Sequence, residues 1–181
     1  MQDGNEFNDI ISSVQKICER EIPAFQNEKY YGTVPMPLFK SFAQLGLTGL
    51  AITDRYNGLG GNSTLISRVM EEISAQDLGP AIFLSVHLMI SRIIENFGND
   101  TQKQMYLPEL ASGDVLGAFG LTEPNAGSDA ASLRTTARLD GSEYILNGSK
   151  TYITSAGWAG LYIIFAKVPD LDSEKPPIAA F

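Results

Sequence analysis

Apolar residues recur at steps of three and four through the first part of the chain and at steps of two further on. Phe7, Ile10, Ile11, Val14, Ile17, Cys18 and Ile22 form one helical stripe, which Pro23 ends or kinks because its nitrogen has no hydrogen to donate. Pro37 opens a second helix, with Leu38, Phe42 and Leu45 on one side and Gly46 as its stop. Residues 54–61 read as a loop, marked by Asn57-Gly58 and Gly60-Gly61. Ser63 is placed to cap a third helix whose inner face carries Leu65, Ile66, Val69, Met70 and Ile73. Gly79-Pro80 breaks the chain, the apolar stretch 81–94 reads as a buried central helix, and Gly98 closes it. A short helix from about Thr101 carries Met105, Leu107 and Leu110.

After Gly113 the period changes. Leu133, Thr135, Ala137 and Leu139 alternate with Arg134, Thr136 and Arg138, as on a strand with one wet face. Asp140-Gly141 is a hairpin signal. Residues 115–121, 144–146, 151–154, 161–168 and 178–181 read as further strands, and 169–177 as a polar loop containing prolines. The order implies an α+β chain: an all-α helical domain over 1–114, then a partial antiparallel β domain over 115–181. A sheet that stops mid-strand leaves an open edge, so the expectation is an incomplete β domain.

Composition narrows the function classes. Apolar residues make up 44% of the 181, enough for a packed core. The net charge of −8 argues against a nucleic-acid surface, which needs clustered Lys and Arg. Cys18 is the one cysteine, which excludes an intrachain disulfide, and it reads as a small buried hydrophobe. With His87 the one histidine, a His/Cys zinc site cannot be built, and no metal is expected. The first residues are acidic and lack the basic and apolar regions of a signal peptide, from which a cytoplasmic location is expected. The stretch 81–94 is interrupted by Ser85, His87, Ser91 and Arg92 and is too short and polar for a membrane span.

Two segments carry candidate chemistry. The first, Gly120-Leu121-Thr122-Glu123-Pro124-Asn125-Ala126-Gly127-Ser128-Asp129, is a long polar loop of small residues. Its amides around 126–128 and the hydroxyls of Thr122 and Ser128 suit a ligand with phosphate or carbonyl oxygens. The same residues are all turn formers, and a plain surface turn explains them equally well. The second, Asn147-Gly148-Ser149-Lys150-Thr151-Tyr152-Ile153-Thr154-Ser155, reads as a turn feeding a strand with Tyr152 and Thr154 on one face. That pairing suits a flat, hydrogen-bonding ring, but taken alone a half-buried strand pair explains it better. No P-loop is present, and Gly58-Leu59-Gly60-Gly61 lacks dinucleotide spacing.

Taken together and in order, these segments closely resemble the acyl-CoA dehydrogenase family. The leader Phe97-Gly98, Gln102-Lys103, Leu107-Pro108, Leu110-Ala111-Ser112-Gly113 is similar to the stretch those enzymes carry before the first motif. Leu45-Gly46-Leu47, Gly49-Leu50, Tyr56 and Gly58-Leu59-Gly60-Gly61 match further upstream, so the resemblance spans nearly the whole chain.

The resemblance implies a helical domain, a middle β domain and a C-terminal helical domain, of which this chain holds the first and about half of the second. It implies FAD-dependent α,β-dehydrogenation of an acyl-CoA thioester to trans-2-enoyl-CoA, with electrons passed to an electron-transfer flavoprotein. By position, Phe119, Gly120, Leu121 and Thr122 line the flavin, with Thr122 on its pyrimidine edge. Gly127 and Ser128 lie near the FAD pyrophosphate, and Ser128 also reaches the acyl-CoA substrate. Tyr152, Ile153 and Thr154 pack on and hydrogen-bond the isoalloxazine, Thr154 near N5; many relatives have Trp at the position of Tyr152. Glu123 belongs to the loop and is assigned no proton transfer. The catalytic glutamate of the family comes from the C-terminal domain, and no residue here matches it. The expectation is therefore a fragment that is inactive alone and holds FAD weakly or not at all, from a protein that is a homotetramer when full length, with no nucleic-acid or membrane partner. The alternative within the same fold is an acyl-CoA oxidase or flavin monooxygenase relative, since these residues do not reveal how oxygen reaches the reduced flavin. A truncated, non-catalytic binding or assembly module is the alternative outside catalysis.

Overall fold

A computed structural model describes residues 4–26, 32–172 and 174–181. The chain divides into two compact units, 1–117 and 118–181.

The first unit is helical: α1 (Gly4–Phe25), α2 (Met36–Gln44), α3 (Ser63–Gln76), α4 (Leu78–Phe97) and α5 (Asp100–Ala111). The stripe on α1 is real, since Ile11, Val14, Ile17, Cys18 and Ile22 are all buried. Pro23 does not stop that helix at once; α1 runs two residues past it to Phe25. Leu38, Phe39 and Phe42 of α2 and Leu65, Val69 and Ile73 of α3 join the same core. The cap of α3 is Asn62, not Ser63: the Asn62 side chain accepts from the Leu65 amide, and Ser63 is the first helical residue. Likewise α4 starts before Gly79-Pro80, capped by Asp77, whose carboxylate accepts from the Gly79 amide at 2.8 Å. Pro80 is tolerated because it lies in the first turn, where amides have no intrahelical partner. The helix is thus longer than the stretch 81–94 read from the sequence, and by length and composition alone it is long and apolar enough to cross a membrane. In this unit it is the central helix, burying Phe83, Leu84, Leu88 and Ile90. On α5, Leu107 and Leu110 are buried but Met105 is 56% exposed, because residues two apart on a helix do not share a face.

The Cys18 thiol is buried and free, and burial followed by the charges of Glu72 and Glu19 pushes it up to about 11. It is an inert core residue, as its sequence position implied.

His87 on α4 organises the far side of this unit. Its Nδ1 accepts from the Gly117 amide at 3.2 Å. Its proton therefore sits on Nε2, which faces the carbonyls of Thr48 (3.2 Å) and Leu110 (3.1 Å). Phe39 packs edge-on against the ring at 5.3 Å.

The second unit contains most of a small sheet: β1 (Gly117–Gly120), β2 (Thr136–Asp140), β3 (Glu143–Asn147), β4 (Leu161–Lys167) and β5 (Ile178–Ala180). The strand order is β1-β4-β2-β3, with β5 also on β4. The Asp140-Gly141 hairpin forms, pairing Asp140 with Glu143 and Thr136 with Asn147, and Gly141 takes φ 62°. The sheet is mixed rather than wholly antiparallel, because β2 and β4 pair in parallel at Thr136 and Lys167. A two-residue turn forces antiparallel neighbours, but the longer connection 148–160 lets β4 return in the direction of β2. Leu133, Thr135 and Ala137 face inward as their alternation implied; Leu139, at the hairpin end, is exposed.

Candidate functional site

The two segments with candidate chemistry meet within the second unit. Glu123 and Ala126 exchange both backbone hydrogen bonds, at 3.0 and 3.1 Å, so that Pro124 and Asn125 form the exposed tip of a tight turn. The turn leaves Glu123 pointing inward, 6% exposed. Its Oε2 accepts from the Arg134 amide at 2.6 Å. Its Oε1 accepts from the Thr135 amide at 2.9 Å, the Thr135 hydroxyl, and Lys150 Nζ at 2.8 Å. Burial pushes this carboxyl up, but the Lys150 ammonium, the Thr135 hydroxyl and the two amides outweigh it and hold the group down to about 2.

Lys150 also donates to the Leu121 carbonyl at 3.0 Å, and the Thr151 amide donates to the Thr122 carbonyl at 2.9 Å. Residues 121–123 and 150–151 are therefore stapled side by side. Gly148 lets the turn before them lie flat on Thr135: a Cβ there would sit 2.3 Å from Thr135 Oγ1 and 2.7 Å from its Cα. Gly120 is similarly close to β4, where a Cβ would meet Ile164 Cδ1 at 2.5 Å. Phe119 packs edge-on against Phe165 at 5.3 Å.

Residues 151–154 do not form a strand. Tyr152 takes φ 55° and its side chain is 92% exposed, and a run of turns follows. The Ala156 amide bonds Ile153 O, and the amides of Trp158 and Ala159 bond Ser155 O. Alternation within Thr-Tyr-Ile-Thr suggested a strand, but no neighbouring strand pairs with it among the described residues. Tyr152 and Thr154 are thus not held on one strand face; the Tyr152 ring is turned out by its left-handed backbone. Ile153 and Thr154 are half-buried. Ser155 also has positive φ, at 66°, and its Oγ is buried with no hydrogen-bond partner among the described residues.

The site residues expected from the sequence are thus arranged unequally. Leu121 and Thr122 are brought against the segment that carries Tyr152, Ile153 and Thr154. Gly127 and Ser128 lie on the exposed limb beyond the 123–126 turn, and no hydrogen bond among the described residues ties them to Tyr152–Thr154. The residues the sequence reading passed over are Lys150 and Thr135, which hold the arrangement together. Among the described residues no cluster of His, Cys, Asp and Glu could hold a metal ion.

Residues 5–114 match the model for the acyl-CoA dehydrogenase N-terminal domain, and residues 118–180 match that for the acyl-CoA dehydrogenase middle domain. The chain belongs to the acyl-CoA dehydrogenase family. An acyl-CoA dehydrogenase of Bacillus subtilis (strain 168) is 41% identical over 93% of this chain and 45% of its own length. Butyryl-CoA dehydrogenase from Megasphaera elsdenii superposes with a TM-score of 0.88 at 34% identity, over 100% of this chain and 49% of that one. A glutaryl-CoA dehydrogenase from Mycobacterium smegmatis, solved in complex with FADH2, gives a TM-score of 0.85 at 34% identity, over 99% of this chain and 45% of that one. The chain spans just under half the length of these three relatives.

The local chemistry fits a flavin. An aromatic ring stands open at Tyr152, half-buried hydroxyls lie at Thr122 and Thr154, and an unpartnered hydroxyl lies buried at Ser155. Open space surrounds the position a Gly127 Cβ would take, so backbone there is accessible to a bulky anionic group.

Proposed function

We propose that this chain supplies the flavin-contact face of an FAD-dependent acyl-CoA dehydrogenase acting on an acyl-CoA thioester, with an electron-transfer flavoprotein as electron acceptor. The observation that supports the reading is the staple between residues 121–123 and 150–151, which sets Leu121 and Thr122 beside the segment that carries Tyr152, Ile153 and Thr154. Bound FAD supplies a two-electron acceptor for α,β-dehydrogenation. The protein's part is orientation: Phe119, Gly120 and Leu121 would line the ring system, and the Thr122 hydroxyl would supply a hydrogen bond to it. Tyr152, Ile153 and Thr154 would hold the ring system, and Gly127 and Ser128 would take the pyrophosphate, with Ser128 also reaching the thioester ligand.

Glu123 has no part in proton transfer. A general base works best with a pKa near the working pH. Glu123 is held down to about 2, with both oxygens occupied by donors. The base that removes the α-proton is therefore not this carboxylate. Of the two outcomes the resemblance allows, weak FAD retention is the one a prearranged site supports. FAD titrated into the chain, followed by flavin absorbance, tests the reading. Binding is expected to weaken by about tenfold in Thr122→Ala, the loss of roughly one good hydrogen bond. Equal affinity in wild type and Thr122→Ala would remove the assignment of that hydrogen bond.

A further inference from the structure

We infer that Glu123 and Lys150 are positioning residues of the flavin site: their buried pair sets the register between the 121–123 and 150–154 segments before any cofactor arrives. The inference rests on the flavin reading above, but its geometry does not.

Lys150 Nζ donates at once to Glu123 Oε1 at 2.8 Å and to the Leu121 carbonyl at 3.0 Å. The side chains are only 6% and 10% exposed. A buried ion pair is weak evidence for stability, because an apolar pair of similar volume often serves as well. An apolar pair could not also bind a main-chain carbonyl, nor orient a carboxylate onto the amides of Arg134 and Thr135. What the charged pair adds is direction: it ties residues 121–123, 134–135 and 150 into one knot with defined distances. The Thr151–Thr122 backbone bond follows directly from that knot, one residue along each strand of the staple. The side chains assigned to the flavin (Thr122, Tyr152, Ile153, Thr154) take no part in the network among the described residues. The pair therefore stands behind the contact residues and acts through them. Thr135 is the floor of the knot, contacted by Glu123 and closely approached by Gly148.

The test compares the full wild-type chain with Lys150→Met, Lys150→Arg and the double variant Glu123→Gln/Lys150→Met. Amide hydrogen exchange is read at Thr151 and Ala126, with the β2–β3 hairpin amides as an internal control, and FAD is titrated in parallel. Lys150→Met is expected to speed exchange at Thr151 by about tenfold or more beyond any change at the hairpin amides, and to weaken FAD by a similar factor. Lys150→Arg, which can still donate to both acceptors, is expected to restore both to within about threefold. Unchanged Thr151 protection in Lys150→Met overturns the inference. So does a double variant with wild-type Thr151 protection and FAD affinity. Loss of protection throughout β2 and β3 in the double variant also counts against it, since the pair would then hold the whole sheet rather than the site. If exchange behaves as expected while no form binds FAD, the positioning knot stands and the flavin reading falls.

Discussion

Acidification is expected to destabilise the helical unit through His87, well before the carboxylates respond. The imidazole is fully buried and held as the neutral Nε2–H form by one donor and two acceptors. Protonation would turn Nδ1 into a donor facing the Gly117 amide, donor against donor. Burial lowers the pKa to about 4, while the bonds to Leu110 and Thr48 carbonyls oppose the shift. The ordinary value is 6.5, so between 6.5 and 4 the unfolded chain binds a proton that the folded chain refuses. Stability is then complete above about pH 6.5 and falls as pH drops, by about 1.4 kcal/mol per pH unit, reaching a loss of about 3 kcal/mol near pH 4. The groups around the ring (Phe39, Thr48, Leu110 and Gly117) carry no charge to offset this. Glu21, Asp114 and Glu123 all have lowered pKa values, so their stabilisation is lost only at lower pH, starting near their ordinary values. Urea unfolding followed by far-UV circular dichroism at about pH 7 and pH 5 isolates the His87 contribution. Between those pH values the wild type is expected to lose about 2 kcal/mol and His87→Gln almost nothing. A flat wild-type profile, or the same slope in His87→Gln, would refute the reasoning.

Three further outcomes follow from the second unit. Lys150→Met leaves a buried carboxylate uncompensated and is expected to cost about 3–5 kcal/mol, read by chemical denaturation, with part recovered in the Glu123→Gln/Lys150→Met double variant. Glu123, held down to about 2, contributes stability that is present above its ordinary 4.5 and lost as pH falls toward 2; Glu123→Gln is expected to flatten the acid limb of the wild-type profile in that window. Gly148→Ala places a Cβ 2.7 Å from the Thr135 backbone and is expected to destabilise by about 1–3 kcal/mol, seen as a lowered Tm.

The helices were legible because burial repeats with the helical period: every apolar residue of α1 from Ile11 to Ile22 that the stripe named is buried. Ends were less legible, because neighbouring polar residues compete for one cap. Asn62 and Ser63 are both good capping residues, and only the position of the Leu65 amide decides between them. The hairpin was legible from Asp140-Gly141, but the parallel β2–β4 pair was not, since strand direction after a long connection depends on tertiary packing. Tyr152 misled for a related reason: β-forming residues take strand geometry only where a neighbour offers hydrogen bonds, and here turn bonds to Ile153 and Ser155 win. The motif residues themselves were assigned by resemblance. The knot beneath them was not, although one signal was present: Glu123 and Lys150 are opposite charges embedded in otherwise small or uncharged motif segments. Only the fold shows that they meet.

The proposed flavin-contact face is built from residues 119–122, 127–128 and 152–154. Titration of millimolar FAD into isotope-labelled chain, followed by amide chemical shifts, tests it most directly, because it maps even weak binding. Saturable shifts are expected, concentrated at Leu121, Thr122, Gly127, Ser128 and Tyr152–Thr154. Shifts confined to other residues, or none at the highest FAD concentration, would contradict that assignment.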